Sequence, residues 1–141
     1  MEYFRTYDSL PEDAAFIRRS VFMEEQGFKD EFDDTDRISK HIVLYTDDDR
    51  PAAVCRYYPD GDGKCYIVGR IAVLKEFRKR HYGQLILREA ERQAGLEGAL
   101  ELSLAAQVQA AGFYEKSGFA AVGEVFMEEH CPHIKMVKSI L

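Results

Sequence analysis

The chain has 141 residues, 46% of them hydrophobic and 31% charged, the proportions of an ordinary soluble globular protein and enough for one domain, residues 1–141, with a core of its own. A net charge of -6 argues against a general nucleic-acid binder, which needs a dominant basic face. The three cysteines, Cys55, Cys65 and Cys131, form no C-x-x-C pair and leave one over, which fits reduced thiols in a cytoplasmic protein. The start MEYFRTYDSL lacks the basic-then-apolar build of a signal peptide, and no apolar run reaches transmembrane length, so no membrane partner is expected.

In chain order, a short strand at Glu2 to Tyr7 leads into SLPEDAAFIRRSVFMEEQG. There Ser9 and Glu12 have the spacing of a capping box, Pro11 is tolerated in the first turn, and Ala14, Ile17, Val21 and Phe22 form an apolar helical face. An acidic loop, Glu24 to Asp36, carries seven acidic residues and one lysine. Two strands follow, HIVLYT and AAVCRYY, and then a Gly/Asp hairpin turn, PDGDGK. CYIVGRIAVL is a nearly continuous apolar run, as expected of a central strand buried on both faces. A helix from Gly83 to about Ala94 ends at Gly95 and Gly98. ALELSLAA alternates as a strand, QAAGFYEKSG is a short helix, and FAAVGEVF and IKMVK are final strands. The order predicts an α/β sheet of mixed direction.

The turn FRKRHYGQL packs Arg78, Lys79, Arg80 and His81 before Gly83 and a helix start. Unpaired amides and the dipole already make a helix N-terminus positive, so each added cation there is unfavourable by up to ~1 kcal/mol. Such an arrangement calls for an anion, and phosphate is the expected one. Gly83 lets the backbone approach closely.

A strand ending RIAVL, then F-R-x-x-x-x-G-x-L, a Leu/Ala-rich helix, an alternating strand and FYEKSGF together resemble the GNAT superfamily of acyl-CoA N-acyltransferases. R-x-x-V-F-x-x-E-Q (Arg18 to Gln26), D-x-x-D…H (Asp33, Asp36, His41) and A-Q…F-Y (Ala106 to Tyr114) are similar to its small ElaA-like bacterial members. The resemblance implies a mixed, mostly antiparallel sheet of about six to seven strands, splayed at the cofactor site, with about four helices. It also implies acetyl-CoA as co-substrate, gripped by the turn amides. The implied cofactor contacts are Ile71, Ala72, Val73, Arg78, Lys79, Arg80, His81, Tyr82, Gly83, Gln84, Gln107 and Phe113. His81 stands where the superfamily turn R-x-x-G-x-G/A has its first glycine.

By the same resemblance, the Val73 N–H polarises the thioester carbonyl and Tyr114 is the general acid; by residue type alone Tyr114 reads instead as an aromatic closing the core beside Phe113 and Phe119. His133, in C-P-H-I-K-M, is a candidate base because a neutral imidazole suits deprotonation of an ammonium. A similar P-H-I-x-M ending occurs in glyphosate-acetylating relatives; the alternative is a histidine capping a strand. His41 reads as structural. His130, Cys131 and His133 fit no zinc spacing, and no metal is expected. The acidic loop lacks EF-hand register and reads as a solvated lid, or else offers Glu25, Asp33 or Asp36 to a cationic amine. Arg56 and Arg70 either pair with those acids or bind an acceptor carboxylate.

The expected function is direct transfer of acetyl to a primary amine of a small molecule, by a monomer or homodimer. The rivals are a protein or peptide N-acetyltransferase and a degenerate acyl-CoA-binding sensor or scaffold.

Overall fold

The computed structural model describes residues 1–141. Seven strands, β1 (Tyr3–Tyr7), β2 (Lys40–Tyr45), β3 (Pro51–Asp60), β4 (Cys65–Val73), β5 (Glu101–Gln107), β6 (Ala120–Glu128) and β7 (Cys131–Ser139), form one open sheet in the order β1-β2-β3-β4-β5-β7-β6. All neighbours are antiparallel except β4 and β5, which run parallel, as a helical crossover requires. Three α-helices accompany the sheet: α1 (Glu12–Arg18), α2 (Tyr82–Leu96) and α3 (Ala111–Lys116). About four were expected from the sequence; α1 instead runs straight on as a π-helical turn, Arg19–Glu25.

The expected capping box at Ser9 does not form. Pro11 occupies the N-cap position, and helix α1 starts at Glu12 without a side-chain cap. Gly95 lies inside α2, which reaches Leu96; the left-handed break falls at Gly98, φ 103°.

Alternation along β3 sets the two layers. Tyr57 sends its hydroxyl to Gln93 of α2 and to Glu97 at its C-cap, whereas its neighbour Arg56 meets Asp36, which also binds Arg18 of α1. Helices α1 and α2 therefore cover opposite faces. Ile86, Leu87, Ala90 and Ala94 form the buried stripe of α2, and Ala14, Ile17 and Val21 that of the first helix.

Two irregularities in β4 create the site. Gly69 faces Arg56 and Ala72 faces Val54, so Arg70 and Ile71 oppose the single residue Cys55 in a β-bulge, with Arg70 in the left-handed region at φ 53°. Strand β4 also pairs with β5 only from Cys65 to Ile67, opposite Glu101 to Ser103, and beyond that the two strands diverge. This corrects the expectation of burial on both faces. In β4 buried residues alternate with partly exposed ones, because Ile67, Gly69 and Ile71 line a cavity.

Candidate active site

The divergence of β4 and β5 leaves backbone groups pointing into a gap. Leu74 N–H donates to Ala52 O at 2.9 Å, so Ala52 and Leu74 are the hydrogen-bonded pair and the adjacent Ala53–Val73 pair is not. The Val73 N–H is thus directed away from β3, toward the side β5 has left. Its carbonyl faces the same way and accepts Arg78 Nε at 3.1 Å.

Next to Val73 lies a concavity of about 310 Å³ lined by Val73, Arg78, Lys79, Tyr82, Gly83 and Phe113, with His81 and Gln84 at its margin. Leu85 N–H is the first to bond back into the helix, to His81 O at 3.1 Å. The amides of Tyr82, Gly83 and Gln84 consequently open onto this concavity without an intrahelical acceptor. His81 keeps the geometry a glycine would favour: φ 62°, ψ 19°, left-handed, with Lys79 also at φ 69°. A Cβ on Gly83 would come 3.3 Å from the Phe113 ring, so any larger residue here would push that ring back by a few tenths of an ångström. These features fit a pyrophosphate. Arg80 lies outside the cradle, its guanidinium 5.4 Å from the Phe77 ring centre, and Ala72 is buried in the sheet. Ile71 and Gln107 belong to the second cavity.

That second cavity, about 360 Å³, is lined by both Tyr114 of α3 and His133 of β7, the strand that pairs with β5. Tyr114 is held edge-on by Phe113 and Phe119, at 5.0 and 6.0 Å between ring centres, so it closes the core and borders the cavity at once. Burial, with a smaller push from the Cys55 thiol, holds its phenol well above the ordinary tyrosine pKa. His133 is 4% exposed, and its Nδ1 lies 2.9 Å from Cys131 O. A carbonyl can only accept, so Nδ1 carries a hydrogen; in the neutral ring the lone pair is then on Nε2, which lies 3.5 Å from a Glu128 carboxylate oxygen. The Phe126 ring stacks on the imidazole at 6.0 Å. His41, by contrast, is fully buried in β2 with Nε2 on Asp36 O, a structural position.

Arg56 and Arg70 both line the cavity, and both are paired with acids. Arg56 donates to Asp33 and Asp36 at 2.7 and 2.9 Å; Arg70 meets the Glu31 carboxylate at 2.9 Å and Asp33 at 3.3 Å. The centre of this network is Arg18, fully buried, at 2.8 Å from Glu31 and 2.7 Å from Asp36. Burial raises the Glu31 pKa against the pull of Arg70 and Arg18. At Asp36 burial is outweighed by hydrogen bonds from Arg18 and Arg56, and its carboxyl drops to about 2.

The acidic loop is therefore more than a solvated lid: Glu31 and Asp36 are interior counter-ions. Glu25 does not line the cavity; it clasps Arg78 through two contacts of 2.6 Å. Glu31 and Glu128 were not singled out from the sequence, and Arg18 and Gln26 appeared there only as the ends of a family-like motif. Arg18 carried a readable signal, since it shares the apolar stripe of Ala14 and Val21, where an arginine needs a buried partner.

A sheet splayed between parallel strands, with an amide cradle beside Val73 and a cavity bordered by Tyr114 and His133, is the architecture of an acyltransferase. The family model described as "Acetyltransferase (GNAT) domain" matches residues 11–140, and the chain belongs to that family. It is 37% identical to the uncharacterized N-acetyltransferase YjcF of Bacillus subtilis over 130 residues, which cover 89% of this chain and 90% of that one. The crystal structure of Escherichia coli ElaA superposes with a TM-score of 0.86 over 99% of this chain and 100% of that chain, at 24% identity. An aminoglycoside 6'-N-acetyltransferase complexed with coenzyme A shares the fold at a TM-score of 0.78 and 15% identity, covering 99% and 97% of the two chains. No helix is long and apolar enough to cross a membrane.

Proposed function

We propose that this protein transfers the acetyl group of acetyl-CoA directly to a primary amine of a small molecule. The observation that carries the reading is the convergence of Tyr114 and the Nε2 lone pair of His133 on one cavity beside the splayed strands. The phosphate cradle of Tyr82, Gly83 and Gln84 lies beyond Val73.

Acetyl-CoA supplies a thioester whose acyl carbon is open to an amine lone pair. The turn amides and Lys79 hold its phosphates, and the unpaired edges of β4 and β5 align its arm. Val73 N–H donates to the thioester carbonyl oxygen, where negative charge gathers as the nitrogen attacks. His133 Nε2 accepts the proton the ammonium must lose, and Glu128 lies beside the imidazolium that results. Tyr114, protonated at neutral pH as any phenol is, gives its proton to the departing thiolate as the C–S bond breaks, and the second proton that the nitrogen sheds as the amide forms restores the phenol.

A small acceptor is favoured over a peptide because the cavity is roofed. Phe28 and Glu31 of the acidic loop line it, and the Glu129 carboxylate ties that loop down by accepting Lys29 N–H at 2.9 Å and Asp30 N–H at 3.0 Å. A panel of free amines and peptides, assayed for coenzyme A release, tests this: free amines are expected to be the better acceptors. Tyr114→Phe is expected to lower kcat by about 100-fold or more with the KM for acetyl-CoA unchanged. An unaltered kcat would remove Tyr114 from the mechanism.

A further inference from the structure

The charges around the acceptor cavity do not balance, and the imbalance says what kind of amine belongs there. On one side, Arg18, Arg56 and Arg70 face Glu31, Asp33 and Asp36 in one continuous network, three positive groups against three negative. An acceptor carboxylate arriving there meets guanidinium groups whose charge is already met. The one unpartnered arginine nitrogen of the network in the interior, Arg56 Nε, is sealed off beside Gly69. On the other side stand Glu128 and Glu129. Glu129 is taken up by the Lys29 and Asp30 amides. Glu128 has no cation beside it except the histidine: its carboxylate, 47% exposed, touches His133 Nε2 at 3.5 Å. That contact is attractive only while the imidazole is protonated, and a working base begins each cycle neutral. Between the two sides the wall is apolar and aromatic, with Phe22, Phe28, Tyr58, Ile67 and Leu104.

We infer that the acceptor is a carboxylate-free amine with an apolar body, an arylalkyl or alkyl amine, and that Glu128 is the counter-ion that receives its ammonium beside His133. This deepens the acetyltransferase reading and rests on it. An amino acid would bring a carboxylate to a cavity with no positive charge to spare and a free negative one at the reacting end. An amine without it places its only charge against Glu128 and its hydrocarbon against the apolar wall.

The matched pair phenethylamine and phenylalanine differs by one carboxylate and isolates the point. In the wild-type protein with saturating acetyl-CoA, kcat/KM for phenethylamine is expected to exceed that for phenylalanine by more than 10-fold. Glu128→Gln is expected to raise the phenethylamine KM about 10-fold and shrink the ratio, and Glu128→Lys to reverse it. In each variant the thermal shift with acetyl-CoA checks that the fold and cradle are intact. Equal use of the two amines, a ratio unaffected at position 128, or acetylation of neither amine would overturn the inference while a wild-type acetyl-CoA shift leaves the cofactor reading standing. Absence of that shift in the wild-type protein would overturn the transferase reading and this inference with it.

Discussion

At His81 the backbone sits at φ 62°, a left-handed conformation that costs a residue with a Cβ about 1 kcal/mol. The side chain is exposed, and the turn keeps its amides directed at the cradle. His81→Gly is therefore expected to raise Tm by a few degrees, since 1 kcal/mol moves a domain of this size by about 2–4 °C or slightly more. It should leave acetyl-CoA affinity within a factor of about two, measurable by calorimetric titration. Arg18 is the opposite case. It is 0% exposed and holds two carboxylates at once. Arg18→Met leaves Glu31 and Asp36 with one charge too many in the interior, and a loss of about 3–5 kcal/mol is expected in urea unfolding. A loss under about 1 kcal/mol would show that Arg56 and Arg70 suffice to neutralise both acids.

Among the elements, the Glu24–Asp36 loop ties the acceptor side of the molecule together. Its backbone is fixed at Lys29 and Asp30 by Glu129, from the turn between β6 and β7, and Phe28 lies 4.9 Å from the His130 ring of the same turn. Glu129 itself holds φ 52°, an uncommon conformation for a glutamate. Glu129→Gln is expected to speed hydrogen exchange across residues 27–33 and raise the acceptor KM several-fold, with kcat within about twofold. Unchanged exchange would mean that Phe28 alone fastens the loop. In the sequence this loop is only a run of acids, and charge density reads as solvent. Long-range pairing to Arg18, 13 residues from Glu31, and to Arg56 turns it inward, and no local pattern encodes that. The cradle was legible because its parts are consecutive: buried strand, basic turn, glycine, helix. The capping box at Ser9 failed for the complementary reason, since its spacing fits but Pro11 takes the N-cap itself.

For the molecule as a whole, pH acts through the same buried groups. His41 is held below the usual histidine pKa, chiefly by burial, so the unfolded chain binds its proton more readily than the folded one. Stability should therefore begin to fall as pH drops below about 6.5, the unfolded histidine value. Asp36, at about 2 against an ordinary 3.8, contributes roughly 2 kcal/mol that is present above pH 4 and lost as pH falls through that interval. Glu31, raised by burial, works in the other direction: its contribution favours the folded state more as pH falls toward 4.5, which softens the middle of the curve. Urea midpoints measured from pH 8 to pH 2 are expected to show a shallow decline below 6.5 and a steeper one below 4. A flat profile down to pH 3 would contradict the role given to His41.

Three residue pairs, Cys65 to Ile67 against Glu101 to Ser103, are all the strand pairing that joins β1–β4 to the β5–β7–β6 wing. Beyond them each wing is held by its own antiparallel ladders, which carry bulges of their own. The junction closes one end of the cleft and leaves the far end, where Val73 and Gln107 stand, without strand pairing between the wings. A ligand arm lying in the cleft and bonding to both edges would supply the strand pairing that the two wings lack there.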